Sequence, residues 1–149
     1  MQKKRISIVL IIVLSITLII VSFKYRSLLE EYNWQKTNAN NGIKVDLSIA
    51  SSIFAGNDLT VENGKNYNYY QAISMIASAT QLFQFSTYNG SLSSILDNLC
   101  NLMKQDEYKD ALIQHSKSIY EELKKLSRNP EDKQALDNLD KLINEIRQK

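Results

Sequence analysis

The chain opens with a long uninterrupted run of apolar side chains. Residues 6–23, ISIVLIIVLSITLIIVSF, include no charged residue, no glycine and no proline. A helix rises about 1.5 Å per residue, so this run extends about 27 Å, close to the roughly 30 Å hydrocarbon core of a bilayer. The pattern predicts a transmembrane helix over residues 6–23 that contacts the lipid bilayer.

A cleavable signal peptide also places an apolar segment behind basic residues. Its apolar region is usually about 7 to 15 residues long and ends in small residues at the cleavage site. The run here is longer, and it ends at Phe23 followed by Lys24, Tyr25 and Arg26, which are bulky or basic. We therefore expect the segment to be retained as a signal anchor.

Basic residues near the two ends of the run set its orientation. Lys3, Lys4 and Arg5 precede it, while Lys24 and Arg26 follow it. Since basic residues are enriched on the cytoplasmic side, the larger cluster favours an inside N-terminus. The sequence thus predicts a single-pass protein of the cell membrane, in which residues 1–5 form a cytoplasmic tail and the main body is extracytoplasmic.

Helical spacing continues beyond the apolar run. Its apolar positions are Tyr25, Leu28, Leu29 and Tyr32. They predict that the helix extends outward as a stalk until the Asn-rich segment 38–42, which ends in glycine and is typical of a helix stop. We expect a stalk helix and loop over residues 24–41, followed by a helical domain over residues 42–149.

Residues 43–55 fit two patterns. Strand-like alternation is present at Ile43, Val45, Leu47 and Ile49. Helical spacing is present at Leu47, Ala50, Ile53 and Phe54. We favour a helix capped by Asp46, because no second convincing strand is available to pair with this one. A loop is expected over residues 57–66, with its turn at Asn63 and Gly64.

The remaining sequence predicts four further helices. The first covers residues 67–88 and ends at Asn89-Gly90, and Ser91 caps the second, which reaches Met103. The third covers about residues 106–127, and the fourth starts where Asn129 supplies an N-cap and Pro130 the first helical position. Because short links favour antiparallel neighbours, the predicted fold class is all-α, with a single N-terminal transmembrane helix, a stalk and a small antiparallel helical bundle.

The net charge of +2 does not indicate a nucleic-acid partner. Lys3, Lys4 and Arg5 account for all of the positive excess, so the rest of the chain is close to neutral. It contains no basic stripe of the kind that contacts phosphate backbones. The sequence therefore predicts no binding to nucleic acid.

Few residues in this chain could carry out chemistry. His115 is the only histidine and Cys100 the only cysteine, and both lie among apolar residues at helical spacing. We expect His115 at the edge of the core and Cys100 inside it as a small apolar side chain. No glycine-rich phosphate loop and no Cys/His metal spacing occurs in the sequence. The prediction is a protein without enzymatic activity, cofactor or metal site.

Charged residues are almost absent from Asn66 to Met103, where Asp97 is the only one before Lys104. Burial in the middle of a bundle is the default explanation. The tyrosines Tyr67, Tyr69 and Tyr70 are the candidates for contact with a partner, since tyrosine buries a large area and keeps a polar tip. The alternative is that they are core aromatics whose hydroxyls reach the rim.

We expect the protein to act by protein-protein interaction at the cell envelope, with another membrane or envelope protein as its partner. The alternative is an extracytoplasmic ligand-binding sensor or an immunity-type inhibitor, again without enzymatic activity. The sequence favours no particular oligomeric state.

Overall fold

The structure, a computed structural model, describes residues 2–56, 67–88 and 90–148. Over these residues it contains helices and no strand, which confirms the all-α class for the described chain. The helices are α1 (Gln2–Ala55), α2 (Tyr67–Leu82), α3 (Gly90–Met103), α4 (Lys109–Gln114), α5 (Ser116–Arg128) and α6 (Lys133–Arg147). The loop expected over residues 57–66 lies outside the described residues.

Two compact units divide the chain, Met1–Gln35 and Lys36–Lys149. The described part of the first unit is helix α1 alone. From Leu10 onward α1 contains an 18-residue window with a mean hydropathy of 1.8, none of which is buried. By length and composition this helix can cross a membrane as a single-pass anchor, and a signal sequence meets the same criteria.

The second unit has one hydrophobic core, to which every helix contributes. The last part of α1 supplies Ile43, Leu47, Ala50 and Phe54, each with almost no exposed surface. The helix favoured for residues 43–55 is confirmed, but the expected cap at Asp46 is wrong, because α1 continues through this position without a break. Around it, α2 packs against α3, α3 against α6, and α5 against α6.

The loop expected at residues 38–42 is wrong, because α1 continues through them as helix. Three contacts explain the continuation. The side-chain amide of Asn40 donates to Thr87 Oγ1 (2.8 Å), and its carbonyl oxygen accepts from the Thr87 backbone N–H (3.0 Å). Ala39 is buried, and Gly42 lies close to Leu82, since a Cβ added at Gly42 would be 2.6 Å from Leu82 Cδ1 and the leucine side chain would have to shift. Tertiary packing thus stabilises a helix that local propensity disfavours.

The helix expected over residues 106–127 is interrupted. A 3₁₀ turn covers Asp106–Tyr108, α4 follows, and His115 separates α4 from α5 with φ −93° and ψ 7°. Two backbone bonds cross the interruption, from His115 N–H to Ala111 and from Ile119 N–H to His115, both 3.0 Å. No glycine or proline marks this site, so the sequence pattern could not reveal it.

Three other helix ends differ from the expected ones. Helix α2 ends at Leu82 and a 3₁₀ turn follows, and α3 begins at Gly90. Helix α6 begins at Lys133, with Asp132 as its N-cap, whose side chain accepts from Ala135 N–H (3.1 Å). The expected cap Asn129 instead accepts from Glu131 N–H (3.3 Å) in a turn that precedes the helix. Asp132 is favoured over Asn129 as the cap because its carboxylate accepts the N-terminal hydrogen bond and its negative charge complements the helix dipole.

Candidate functional site

The three candidate tyrosines at the start of α2 have different environments. Tyr67 and Tyr70 are 77% and 66% exposed, whereas Tyr69 is 4% exposed and belongs to the core. Residues three apart lie on the same side of a helix, so the two exposed rings belong to one surface. We define Tyr67 and Tyr70 as the tyrosine pair.

Tyr69 supports the tyrosine pair from within the core. Its ring meets that of Tyr70 edge to face, with centroids 6.4 Å apart and an interplanar angle of 84°. Lys109 Nζ lies 5.4 Å from the Tyr69 ring centroid, within the range of a cation-π interaction. Burial raises the pKa of Tyr69 to about 12, and Asp106 and Tyr70 contribute to the rise. Tyr69 is thus a neutral packing residue that holds the Tyr70 ring.

The tyrosine pair offers two amphipathic rings at one surface. Each ring can bury apolar area against a partner while its hydroxyl donates or accepts a hydrogen bond at the rim. Aromatic anchors of this kind contribute most of the binding energy in many protein interfaces. The chemistry of the pair suits binding.

A second feature is a groove between the last part of α1 and α5, with a volume of about 480 Å³. We call it the α1–α5 groove. Its lining residues are Ser48, Ser51, Ser52 and Ala55 of α1 and Tyr120, Lys124, Ser127 and Arg128 of α5. The lining thus contains five hydroxyl groups and two cations, and it contains no carboxylate.

The α5 side of the groove carries its charge. Tyr120, Lys124 and Arg128 follow one another at intervals of four residues, so they lie in one line along the helix. The ammonium of Lys124 donates to the Tyr120 hydroxyl oxygen and lies 4.8 Å from the centroid of the Tyr120 ring. Arg128 is exposed at the end of the helix, where a cation complements the dipole.

The α1 side of the groove presents hydroxyl oxygens. Ser51 is the one buried polar residue in the part of the chain whose burial is described. Its hydroxyl donates to the Ser48 carbonyl oxygen (2.8 Å), and that of Ser52 donates to the Ile49 carbonyl oxygen (2.7 Å). Since these hydroxyl protons are already used, the oxygens remain as hydrogen-bond acceptors.

A neighbouring groove of about 410 Å³ shares Lys124 and Arg128 with the first. Its other lining residues are Glu121, Lys125, Asn129 and Asp132. Lys125 Nζ donates to Glu122 at 2.9 Å, and this hydrogen bond raises the pKa of Lys125. The acidic residues of this region therefore line the neighbouring groove or bind Lys125.

The single cysteine and the single histidine lie where the sequence predicts. Cys100 is buried in the core as a free thiol, and His115 is half-buried. The Nε2 atom of His115 is buried and has no hydrogen-bond partner among the described residues. Within the same residues, no group of three or more His, Cys, Asp or Glu side chains could hold a metal ion.

The α1–α5 groove was missed by reasoning from the sequence. The serines of α1 show no pattern that separates them from ordinary surface serines. One signal was present, the spacing of Tyr120, Lys124 and Arg128 along α5, but it does not reveal which helix faces that line. Only the packing of α1 near α5 combines the two sides.

The chain matches no family model, and comparison with characterised proteins and with solved structures finds no significant match. The function must therefore be argued from the side chains themselves.

Proposed function

We propose that the protein is a single-pass membrane protein whose helical domain binds another membrane or envelope protein through the tyrosine pair. Residues 6–23 would anchor the chain with the N-terminus in the cytoplasm, and the helices beyond the stalk would form a small antiparallel bundle outside it. The proposal includes no enzymatic activity and no nucleic-acid partner. Its mechanism is to hold a binding surface at the membrane.

The observation that carries the proposal is the exposure of Tyr67 and Tyr70 beside a buried Tyr69. A ring held by a buried neighbour loses little side-chain entropy when it binds, which favours association. From Asn66 to Met103 the only charged residue of the sequence is Asp97, so helix α2 itself brings no ion that a partner would have to desolvate. Both features are typical of the central part of an interface.

Photo-crosslinking in intact cells tests the proposal. A photoreactive phenylalanine at position 70 is expected to give one defined larger product, and Tyr67→Ala is expected to reduce that product. Position 85 is the matched control, because Phe85 is also an exposed aromatic of the same domain. The proposal fails if position 70 gives no product, or if positions 70 and 85 give the same products.

A further inference from the structure

The α1–α5 groove has donors on one side and acceptors on the other. We propose that it binds a short peptide through its free carboxylate and its N–H groups. The carboxylate would lie against Tyr120, Lys124 and Arg128 of α5, and the N–H donors against Ser51 and Ser52 of α1. This binding goes beyond the proposed function, since it uses other residues than the tyrosine pair.

The α5 side has donors available for a carboxylate. Lys124 already donates to the oxygen of Tyr120, so the phenolic proton of Tyr120 can be donated to a ligand. Arg128 forms no ion pair with any residue in the described part of the chain. Its guanidinium is therefore open to a carboxylate, which it can bind through two parallel hydrogen bonds.

The two cations of the groove also repel each other. Lys124 and Arg128 lie four residues apart on α5, a spacing at which like charges destabilise a helix. Glu121 and Asp132 line the neighbouring groove together with Lys124 and Arg128, but neither acid forms an ion pair with these cations in the described part of the chain. A bound carboxylate would neutralise part of this charge.

The α1 side favours the opposite end of the ligand. The hydroxyl oxygens of Ser51 and Ser52 accept hydrogen bonds, and α1 ends at Ala55. The last carbonyls of a helix have no partner within it and carry partial negative charge. A simple anion would meet this charge unfavourably, whereas a ligand with a carboxylate and N–H donors satisfies both sides. The groove volume of about 480 Å³ is in the range of small-molecule sites.

Nuclear magnetic resonance titration of the full chain in detergent micelles tests this site. The probe is trialanine, and the comparison probes are acetate, which has only the carboxylate, and trialanine amide, which has only the donor end. Trialanine is expected to give saturable shifts of the Ser52 and Ser127 amide signals. We expect acetate and trialanine amide each to bind at least about tenfold more weakly, since each loses hydrogen bonds to charged or partly charged groups.

Variants assign the effect to the groove. Arg128→Gln and Lys124→Gln are each expected to weaken trialanine binding about tenfold, because each removes a charge-assisted hydrogen bond. The matched control is Lys125→Gln, since Lys125 pairs with Glu122 and does not line this groove. It should change the affinity less than about twofold. The melting temperatures of all three variants, followed by circular dichroism, should stay within about 4 °C of that of the unmodified chain, because single helix-surface pairs contribute little to stability.

Three results would overturn the inference: trialanine that does not saturate, acetate that binds as tightly as trialanine, or a Lys125→Gln variant that weakens binding as much as Arg128→Gln. None of them affects crosslinking from position 70. Loss of that crosslink would equally leave the titration unchanged, so the two proposals fail separately.

Discussion

Helix α1 places similar apolar side chains in two opposite environments. Between Leu10 and Trp34 its large hydrophobic residues are 42% to 70% exposed, whereas Ile43, Leu47 and Phe54 have at most 1% of their surface exposed. The second set is covered by helices of the same chain. None of the described residues covers the first set.

The exposed apolar residues between Leu10 and Trp34 are numerous enough for their removal from water to contribute a large free energy. Removing a large apolar side chain from water contributes about 1.5 to 3 kcal/mol. Helices α2 to α6 supply that environment for the last part of α1. Under the proposed anchoring, a bilayer would supply it for residues 6–23.

The largest expected effect comes from charges in the uncovered part. In Leu14→Arg/Leu18→Arg, each arginine costs about 2.5 to 3.5 kcal/mol on insertion at the centre of a membrane helix. We expect this variant to leave the membrane pellet after alkaline carbonate extraction, while Leu14→Met/Leu18→Met remains in it. If the arginine variant also stayed in the pellet, lipid would not be the cover of these residues.

Truncating one leucine in each part of α1 measures how much each part contributes to the stability of the fold. Leu47 has no exposed surface, so Leu47→Ala should lower the free energy of unfolding by about 2 to 5 kcal/mol. Leu18 is exposed, so Leu18→Ala should change it by less than about 0.5 kcal/mol. Urea unfolding of the full chain in detergent micelles, followed by circular dichroism, measures both. Equal losses would mean that the two parts of α1 do not differ.

A smaller effect is expected where α1 enters the folded domain. Asn40→Ala removes the two hydrogen bonds to Thr87 and should lower the free energy of unfolding by about 1 kcal/mol. Asn41→Ala is the matched control, because Asn41 is exposed and has no such bond to Thr87. The control should change stability by no more than about 0.5 kcal/mol. If both variants behave alike, the Thr87 contact does not hold the helix through residues 38–42.

An effect confined to high pH concerns the buried phenol of the second unit. The pKa of Tyr69 is raised to about 12 in the folded state, above the ordinary value near 10. The neutral phenol therefore stabilises the fold fully below pH 10, and this contribution is lost as the pH rises toward 12. Tyr69→Phe should abolish that part of the decline in melting temperature between pH 10 and 12. If the melting temperature of Tyr69→Phe declined as much as that of the unmodified chain, the Tyr69 hydroxyl would be exposed to water and not buried.

The sequence was most informative where local spacing and packing agree. Helix α6 is an example, since its apolar residues at helical spacing are all buried: Ala135, Leu136, Leu139, Ile143 and Ile146. The same agreement holds for residues 43–55, where the helix was favoured for lack of a partner strand and where Leu47, Ala50 and Phe54 are buried. Periodicity works there because each helix buries one continuous face.

Prediction failed where distant residues decide the outcome. Asn38–Gly42 resembles a helix stop, but Thr87, which is 47 positions from Asn40, provides the hydrogen bonds that keep it helical. Helix α6 is capped by Asp132 and not by the expected Asn129. Both residues are good N-caps and lie three positions apart, so the sequence did not distinguish them. The α1–α5 groove depends on the meeting of two helices, and the burial of Tyr69 beside an exposed Tyr70 depends on tertiary packing, in which Lys109 of α4 lies over the Tyr69 ring.

The most direct test of the central claim is the intact mass of the chain recovered from carbonate-washed membranes. The full 149-residue chain should be expressed in a bacterial host with a functional signal peptidase. A retained anchor predicts a membrane-bound product of 17.1 kDa that still contains residues 6–23. A soluble product that has lost these residues would contradict the account, because the apolar segment would then be a cleaved signal.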